Sequence, residues 1–217
     1  MKDFAIIFDM DGVLVDSNPF HKKALIEFCQ SHGYNLTEEE LRARIYGRTN
    51  KDWITNLFNG KVTGEDLKKY ADEKEALFRR LYKGSVKPVD GLIGFLEHLV
   101  DKNIARAIAT SAPRANVDFT LEETHIGKYF TTILDDSYVE NGKPDPEIYL
   151  KTAAAINYDP ENCVVIEDSL SGVLSARSAG AKVIGITTTH TSEELSNTDL
   201  VIDNFNTLNI ETIGSLF

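Results

Sequence analysis

Six short apolar runs, each closed by polar or acidic residues, constrain this chain more than any other feature of its sequence. They fall at residues 4–8, 105–109, 131–134, 163–166, 182–186 and 200–202. Helical patterns at residues 91–103, 114–125, 145–157 and 169–179 lie between most of them. Strands that alternate with helices of this length pair in parallel, because a parallel neighbour is reached only through a long crossover. The expected fold is α/β: a doubly wound parallel sheet with helices on both faces. Ligands of such sheets sit beyond the carboxyl ends of the strands, so the residues that close the runs are the candidates for chemistry.

Residues 18–83 break the alternation. They contain no strand pattern and read as helices at 20–31, 38–45, 52–58 and 65–82. Asn18-Pro19 suits a helix start, and Thr37 ahead of Glu38-Glu39-Glu40 reads as an N-cap with an acidic first turn. The expected organisation is a discontinuous core of residues 1–17 and 84–217, with a helical cap of residues 18–83 inserted after the first strand as a lid. A chain of 217 residues is long enough for both parts.

A formal charge of −11 repels nucleic acid and anionic membranes, so neither is an expected partner. It also means that any phosphate substrate must be drawn in by local cations and a metal. The apolar run at residues 4–8 is too short for a signal peptide or a membrane span, and the expected location is the cytoplasm. Cys29 and Cys163 stand far apart in no metal-binding spacing and read as small buried hydrophobes. His32, His98, His125 and His190 show no pairing that suggests zinc.

The segment Phe8-Asp9-Met10-Asp11-Gly12-Val13-Leu14-Val15-Asp16-Ser17 closes the first run. Carboxylates at i and i+2 leave a strand end on the same side, and Gly12 permits a sharp turn or a close backbone approach. One carboxylate can attack a phosphoryl group while the other protonates the leaving oxygen and then activates water. Taken alone, the same residues also make an ordinary Asp/Gly turn. Three later strand-end groups bear on the choice. Thr110-Ser111 supplies a hydroxyl and backbone N–H groups, Lys143 precedes a helix, and Glu167-Asp168-Ser169 adds two acids. Each has a plainer reading too: a strand-end hydroxyl, a surface lysine, a solvated helix start. Together they make a phosphate and cation site. A hard cation with oxygen ligands offsets the repulsion among Asp9, Glu167 and Asp168, and magnesium suits a site shared with phosphate.

The order DxDGVLxDS, Thr-Ser, Lys-Pro, Glu-Asp-Ser resembles the haloacid dehalogenase superfamily over nearly the whole chain. The helical insert after the first motif resembles the C1-type cap of its beta-phosphoglucomutase and sugar-phosphatase group. The resemblance implies Asp9 as nucleophile and Asp11 as general acid/base. It implies magnesium held by Asp9, the Asp11 backbone carbonyl and Asp168, with Glu167 in support. Thr110, Ser111 and Lys143 would bind the transferring phosphoryl group, and Asp11 weighs against dehalogenation.

In the cap, His21 matches the hinge histidine of the mutases, although a helix-surface histidine fits equally. The segment Tyr46-Gly47-Arg48-Thr49-Asn50-Lys51 resembles the substrate-specificity loop. Asn50 stands where the mutases keep an arginine for the second phosphate, with Arg48 two residues earlier. Lys74 falls at a conserved cap lysine of the mutases, or on a solvated helix face. Trp53 and Phe58 could stack on a sugar or fill the cap core, and Arg114 could assist anion binding or serve the surface. Without a bidentate guanidinium at position 50, hydrolysis of a sugar or polyol phosphate ranks first, a phosphoglucomutase activity second and pyrophosphate hydrolysis third. A receiver-type signalling module is the main rival of another class, followed by a catalytically silent binding protein. A monomer acting on a small phosphorylated metabolite is expected.

Overall fold

The computed structural model describes residues 3–45 and 49–217. Tyr46, Gly47 and Arg48, and the expectations attached to them, lie outside the described residues. In chain order the elements are β1 (Ala5–Phe8), α1 (Asn18–Ser31), α2 (Glu38–Arg44), α3 (Asn50–Leu57), α4 (Gly64–Tyr82), α5 (Leu92–Asp101) and β2 (Ala105–Ala109). There follow α6 (Arg114–Thr124), β3 (Thr132–Leu134), α7 (Glu147–Ala155), β4 (Cys163–Glu167), α8 (Leu170–Ser178), β5 (Lys182–Ile186), β6 (Leu200–Ile202) and α9 (Ile210–Gly214). They divide into two compact units, Met1–Asn18 with Ser85–Phe217, and Pro19–Gly84.

In the first unit the six strands form one parallel sheet in the order β3-β2-β1-β4-β5-β6. Side chains of a strand alternate between faces, and the central strands are apolar at every position up to Glu167 at the end of β4, so both faces need cover. Phe4, Ile6, Phe8, Ile108 and Ile166 pack with Leu92, Phe95, Leu96 and Leu99 of α5 and with Ile210 and Ile213 of α9. Ala5, Ile7, Val165 and Val183 pack on the opposite face with Ile148 and Tyr149 of α7 and with Val173 and Ala176 of α8. The sheet is the doubly wound arrangement expected from the sequence. Asp9 directly follows the central strand β1, Glu167 closes its neighbour β4, and Thr110 directly follows β2.

Among the described residues, the second unit is four helices around Phe28, Cys29, Leu41, Ile45, Trp53, Ile54 and Leu57. Thr37 and Glu40 form the reciprocal cap that the sequence suggests: the Thr37 side chain accepts from the Glu40 N–H, and the Glu40 carboxylate accepts from the Thr37 N–H. Thr63 and Asp66 cap α4 in the same way. Among the described residues, no helix is long and apolar enough to cross a membrane. Both cysteines are buried, and burial pushes their thiols up to about 11 for Cys29 and about 12 for Cys163.

Candidate active site

Strand β1 delivers Asp9 to the sheet edge, where its backbone N–H donates to Ile166 O at 3.1 Å. The chain then turns tightly: Leu14 N donates to Met10 O (2.9 Å) and Gly12 N to Val15 O (2.7 Å). Gly12 has a φ of +78°, and a Cβ there would lie 1.9 Å from Asp168 Oδ2. Only glycine meets both demands, the left-handed backbone and the close approach of the β4 carboxylate. Asp11, two residues beyond Asp9, is half-buried, and the Ser17 hydroxyl donates to its Oδ1 at 2.5 Å.

Lys143 reaches this edge from the loop ahead of α7. Its Nζ donates to Asp9 Oδ1 (2.8 Å) and Glu167 Oε1 (2.6 Å), and its side chain is only 7% exposed. The plainer reading of Lys143 as a surface lysine therefore fails. Glu167 is enclosed by five donors. Lys143 and the Tyr149 hydroxyl (2.7 Å) serve Oε1, and the N–H groups of Asp168 (3.0 Å) and Ser169 (3.1 Å) and the Ser169 hydroxyl (3.0 Å) serve Oε2. Asp168 Oδ2 accepts from Asn18 Nδ2 (3.2 Å) and from the Thr189 hydroxyl.

These contacts set the electrostatics. Burial raises the Asp9 carboxyl well above the ordinary carboxylate range; Lys143 opposes this, and Glu167 and Asp168 add to it. Asp168 is pushed up to about 7, by burial first and by Glu167 second. Burial also acts to raise Glu167, yet Lys143, Tyr149 and Ser169 outweigh it and hold the group below its usual value. Lys143 runs the other way: burial would lower it, and the adjacent Asp9 and Glu167 carboxylates raise it well above the ordinary lysine.

Oxygens of Asp9, Glu167 and Asp168 lie within 4.8 Å of one another. Lys143 is the only ammonium bonded to this cluster among the described residues, so negative charge stays in excess. Glu167 has its lone pairs filled, whereas Asp9 Oδ2 and Asp168 Oδ1 have no hydrogen-bond partner among the described residues. Two open carboxylate oxygens backed by a saturated third make a hard, all-oxygen donor set. That set fits magnesium; zinc prefers sites with nitrogen or sulfur ligands.

Thr110 is buried just beyond β2, and its Oγ1 accepts from Ala112 N at 3.1 Å; Ser111 beside it is exposed. Arg114 pairs with Asp118 (2.8 Å) and lies 3.9 Å from the buried Asp135. In the helical unit, His21 stacks on Phe78 with ring centroids 3.6 Å apart, and its Nδ1 lies 3.0 Å from Lys74 Nζ. Lys74 is buried against Glu75 at 2.9 Å, so it does not lie on a solvated face. The Asn50 side-chain oxygen accepts from Trp53 Nε1 (2.8 Å), and Trp53 and Phe58 belong to the helical core. Tyr149, Asn18 and Thr189 are contacts that sequence reasoning missed. The only hint of Thr189 is the hydroxyl run Thr187-Thr188-Thr189 beyond β5.

Comparison with known proteins gives the family. Residues 6–186 match the family described as "Haloacid dehalogenase-like hydrolase". The chain is 36% identical, over 83% of its length and 83% of the relative's, to a phosphorylated carbohydrates phosphatase of Thermotoga maritima. A family IA hydrolase of Entamoeba histolytica superposes with a TM-score of 0.92 at 37% identity, covering 98% of both chains. The beta-phosphoglucomutase of Clostridium difficile superposes with a TM-score of 0.84 at 26% identity, covering 99% of this chain and 97% of that one. The chain belongs to the haloacid dehalogenase-like hydrolases.

Proposed function

We propose that this protein is a magnesium-dependent phosphatase of small phosphorylated carbohydrates, working through a phosphorylated Asp9. The observation that carries the reading is the buried cluster of Asp9, Lys143, Glu167 and Asp168 at the strand ends, with two carboxylate oxygens open. Similarity to the phosphorylated carbohydrates phosphatase supports the substrate class.

Lys143 has two tasks. It opposes the burial and the neighbouring carboxylates that raise Asp9, and its remaining N–H can donate to a phosphoryl oxygen. An Asp9 carboxylate oxygen attacks phosphorus in line, and the bond from phosphorus to the ester oxygen breaks. Asp11, held by Ser17, gives its proton to the departing alkoxide. It then removes a proton from water, whose oxygen attacks the same phosphorus and releases inorganic phosphate and free Asp9. Thr110 and Ser111 receive phosphoryl oxygens at the end of β2. Asp9, Asp168 and the Asp11 backbone carbonyl would hold magnesium, which would supply positive charge against the phosphoryl oxygens. Glu167 and Tyr149 hold Lys143 and the cation ligands in place.

Phosphate release from hexose phosphates, polyol phosphates and pyrophosphate, with Asp9→Asn alongside, tests the reading. A preferred sugar or polyol phosphate, inert with the variant, is expected. The likeness to beta-phosphoglucomutase favours a phosphomutase as the second reading. That activity would appear as isomerised sugar phosphate without released phosphate.

A further inference from the structure

Away from the catalytic edge, at the amino ends of β2 and β3, a cleft of about 470 Å³ is lined by Asn103, Arg106, Tyr129, Thr131, Asn157 and Tyr158, among others. It lies within the sheet-bearing unit. Arg106 and Thr110 occupy opposite ends of β2, roughly 13 Å apart at about 3.3 Å per residue.

The Arg106 guanidinium is half-buried and makes one hydrogen bond among the described residues, from Nη1 to Ile104 O at 2.8 Å. Its Nε is fully buried and has no partner among the described residues. The Nε–H and Nη2 edge, the side of the planar group that grips a carboxylate or phosphate through two parallel hydrogen bonds, is thus unpaired, and a small shift of the half-buried side chain is needed to present the Nε–H to a ligand. The cleft walls suit such a ligand. The Tyr129 hydroxyl donates to Glu97 (3.2 Å) and the Tyr158 hydroxyl to Asp3 (3.0 Å), which anchors both rings. Lys128 Nζ sits 4.9 Å from the centre of the Tyr129 ring and brings a second positive charge close to that lining residue. Among the described residues no carboxylate lines the cleft. In a chain of net charge −11, a cleft with a cationic floor and aromatic walls stands apart from the general surface.

We propose that this cleft is a second ligand site, separate from the catalytic edge, for a small organic anion carrying a carboxylate, phosphate or phosphonate on a flat body. Arg106 grips the anion, and the Tyr129 and Tyr158 rings flank the body. The proposal does not depend on the phosphatase reading.

The test is a titration of the ¹⁵N-labelled protein with phenylphosphonate, whose P–C bond resists hydrolysis, followed through the Arg106 Nε–H resonance. A saturable shift is expected at Arg106 Nε–H and at the Asn103 and Thr132 amides, with affinity at least tenfold weaker in Arg106→Gln. Thr131→Trp, at an exposed position on the rim, should abolish the same shifts with Arg106 intact. Shifts at Thr110 and Ser111 report the catalytic edge separately and should persist in both variants. An unmoved Arg106 Nε–H in the wild type overturns the proposal, as does an equal response to benzamidinium, which has a similar body and the opposite charge.

Discussion

Gly172, in the first turn of α8, is the position where the account is most exposed to refutation. In a helix, Gly→Ala ordinarily stabilises by about 1 kcal/mol. Here the added Cβ would fall 1.7 Å from Glu167 Oε1 and 1.9 Å from its Cδ. The carboxylate must retreat by roughly 1.5–2 Å to reach ordinary contact, and it is enclosed by five donors. Losing about two of these charge-assisted hydrogen bonds, at about 1.5–3 kcal/mol each, outweighs the helix gain. Gly172→Ala should therefore lose about 2–5 kcal/mol. The displaced Glu167 also releases Lys143 from its position against Asp9, and misplacement of that size should lower kcat/KM by about 10- to 100-fold. Gly94→Ala is the control, since Gly94 lies on the exposed side of α5 and its Cβ would meet nothing within 4 Å. It should be neutral or slightly stabilising, with full activity. Urea denaturation followed by far-UV ellipticity is the suitable assay, because the single tryptophan, Trp53, reports on the helical unit and not on the sheet. If Gly172→Ala matches Gly94→Ala in stability and turnover, the placement of Glu167 is wrong.

Three other outcomes follow from the same contacts. Lys143→Met leaves buried carboxylates without their ammonium; it should cost about 3–5 kcal/mol in urea unfolding and at least about 10³-fold in kcat, and near-normal turnover would remove Lys143 from the mechanism. Chelation with EDTA should stop turnover reversibly, and magnesium at a hundredfold excess over its Kd should raise Tm by about 5–10 °C, as about 2.7 kcal/mol of linkage implies for a chain of this size; an unchanged Tm would contradict the cation site. Glu147 is drawn down from 4.5 to about 2 by the Lys151 hydrogen bond and by the backbone N–H groups of Asn141 and Glu140, so its contribution to stability is full above pH 4.5 and is lost as pH falls toward 2. The stability gap between wild type and Glu147→Gln should therefore be full at pH 7, reduced at pH 3 and largely gone by pH 2, and an equal gap at pH 7 and pH 2 would refute this.

The sheet was legible because a buried parallel strand requires a near-continuous apolar run, and the runs of β1, β2 and β4 stop where chemistry begins, at Asp9, Thr110 and Glu167. The short α9, five residues long, has too few turns to show a period and went unread. Asp9, Asp11, Glu167 and Asp168 stood out as carboxylates at strand ends. Lys143 did not stand out alone, because its contact with Asp9 spans 134 residues and only the folded sheet creates it. Tyr149 did not stand out in the helical pattern at 145–157, since periodicity registers its ring and not the hydroxyl aimed at Glu167. For Lys74 the charged helical stretch left a solvated face open beside the cap reading; its burial depends on His21, 53 residues away, and on Glu75. Pattern marks which groups are polar; partners decide which polar groups can be buried.

The central claim is that Asp9 itself carries the phosphoryl group. Acid quenching during turnover of a preferred sugar phosphate, followed by peptide mass mapping, tests it most directly. The account predicts a phosphoryl adduct on the peptide containing Asp9, absent from Asp9→Asn, which should also fail to turn over. Turnover by Asp9→Asn, or steady wild-type turnover that never yields the adduct at Asp9, would contradict it.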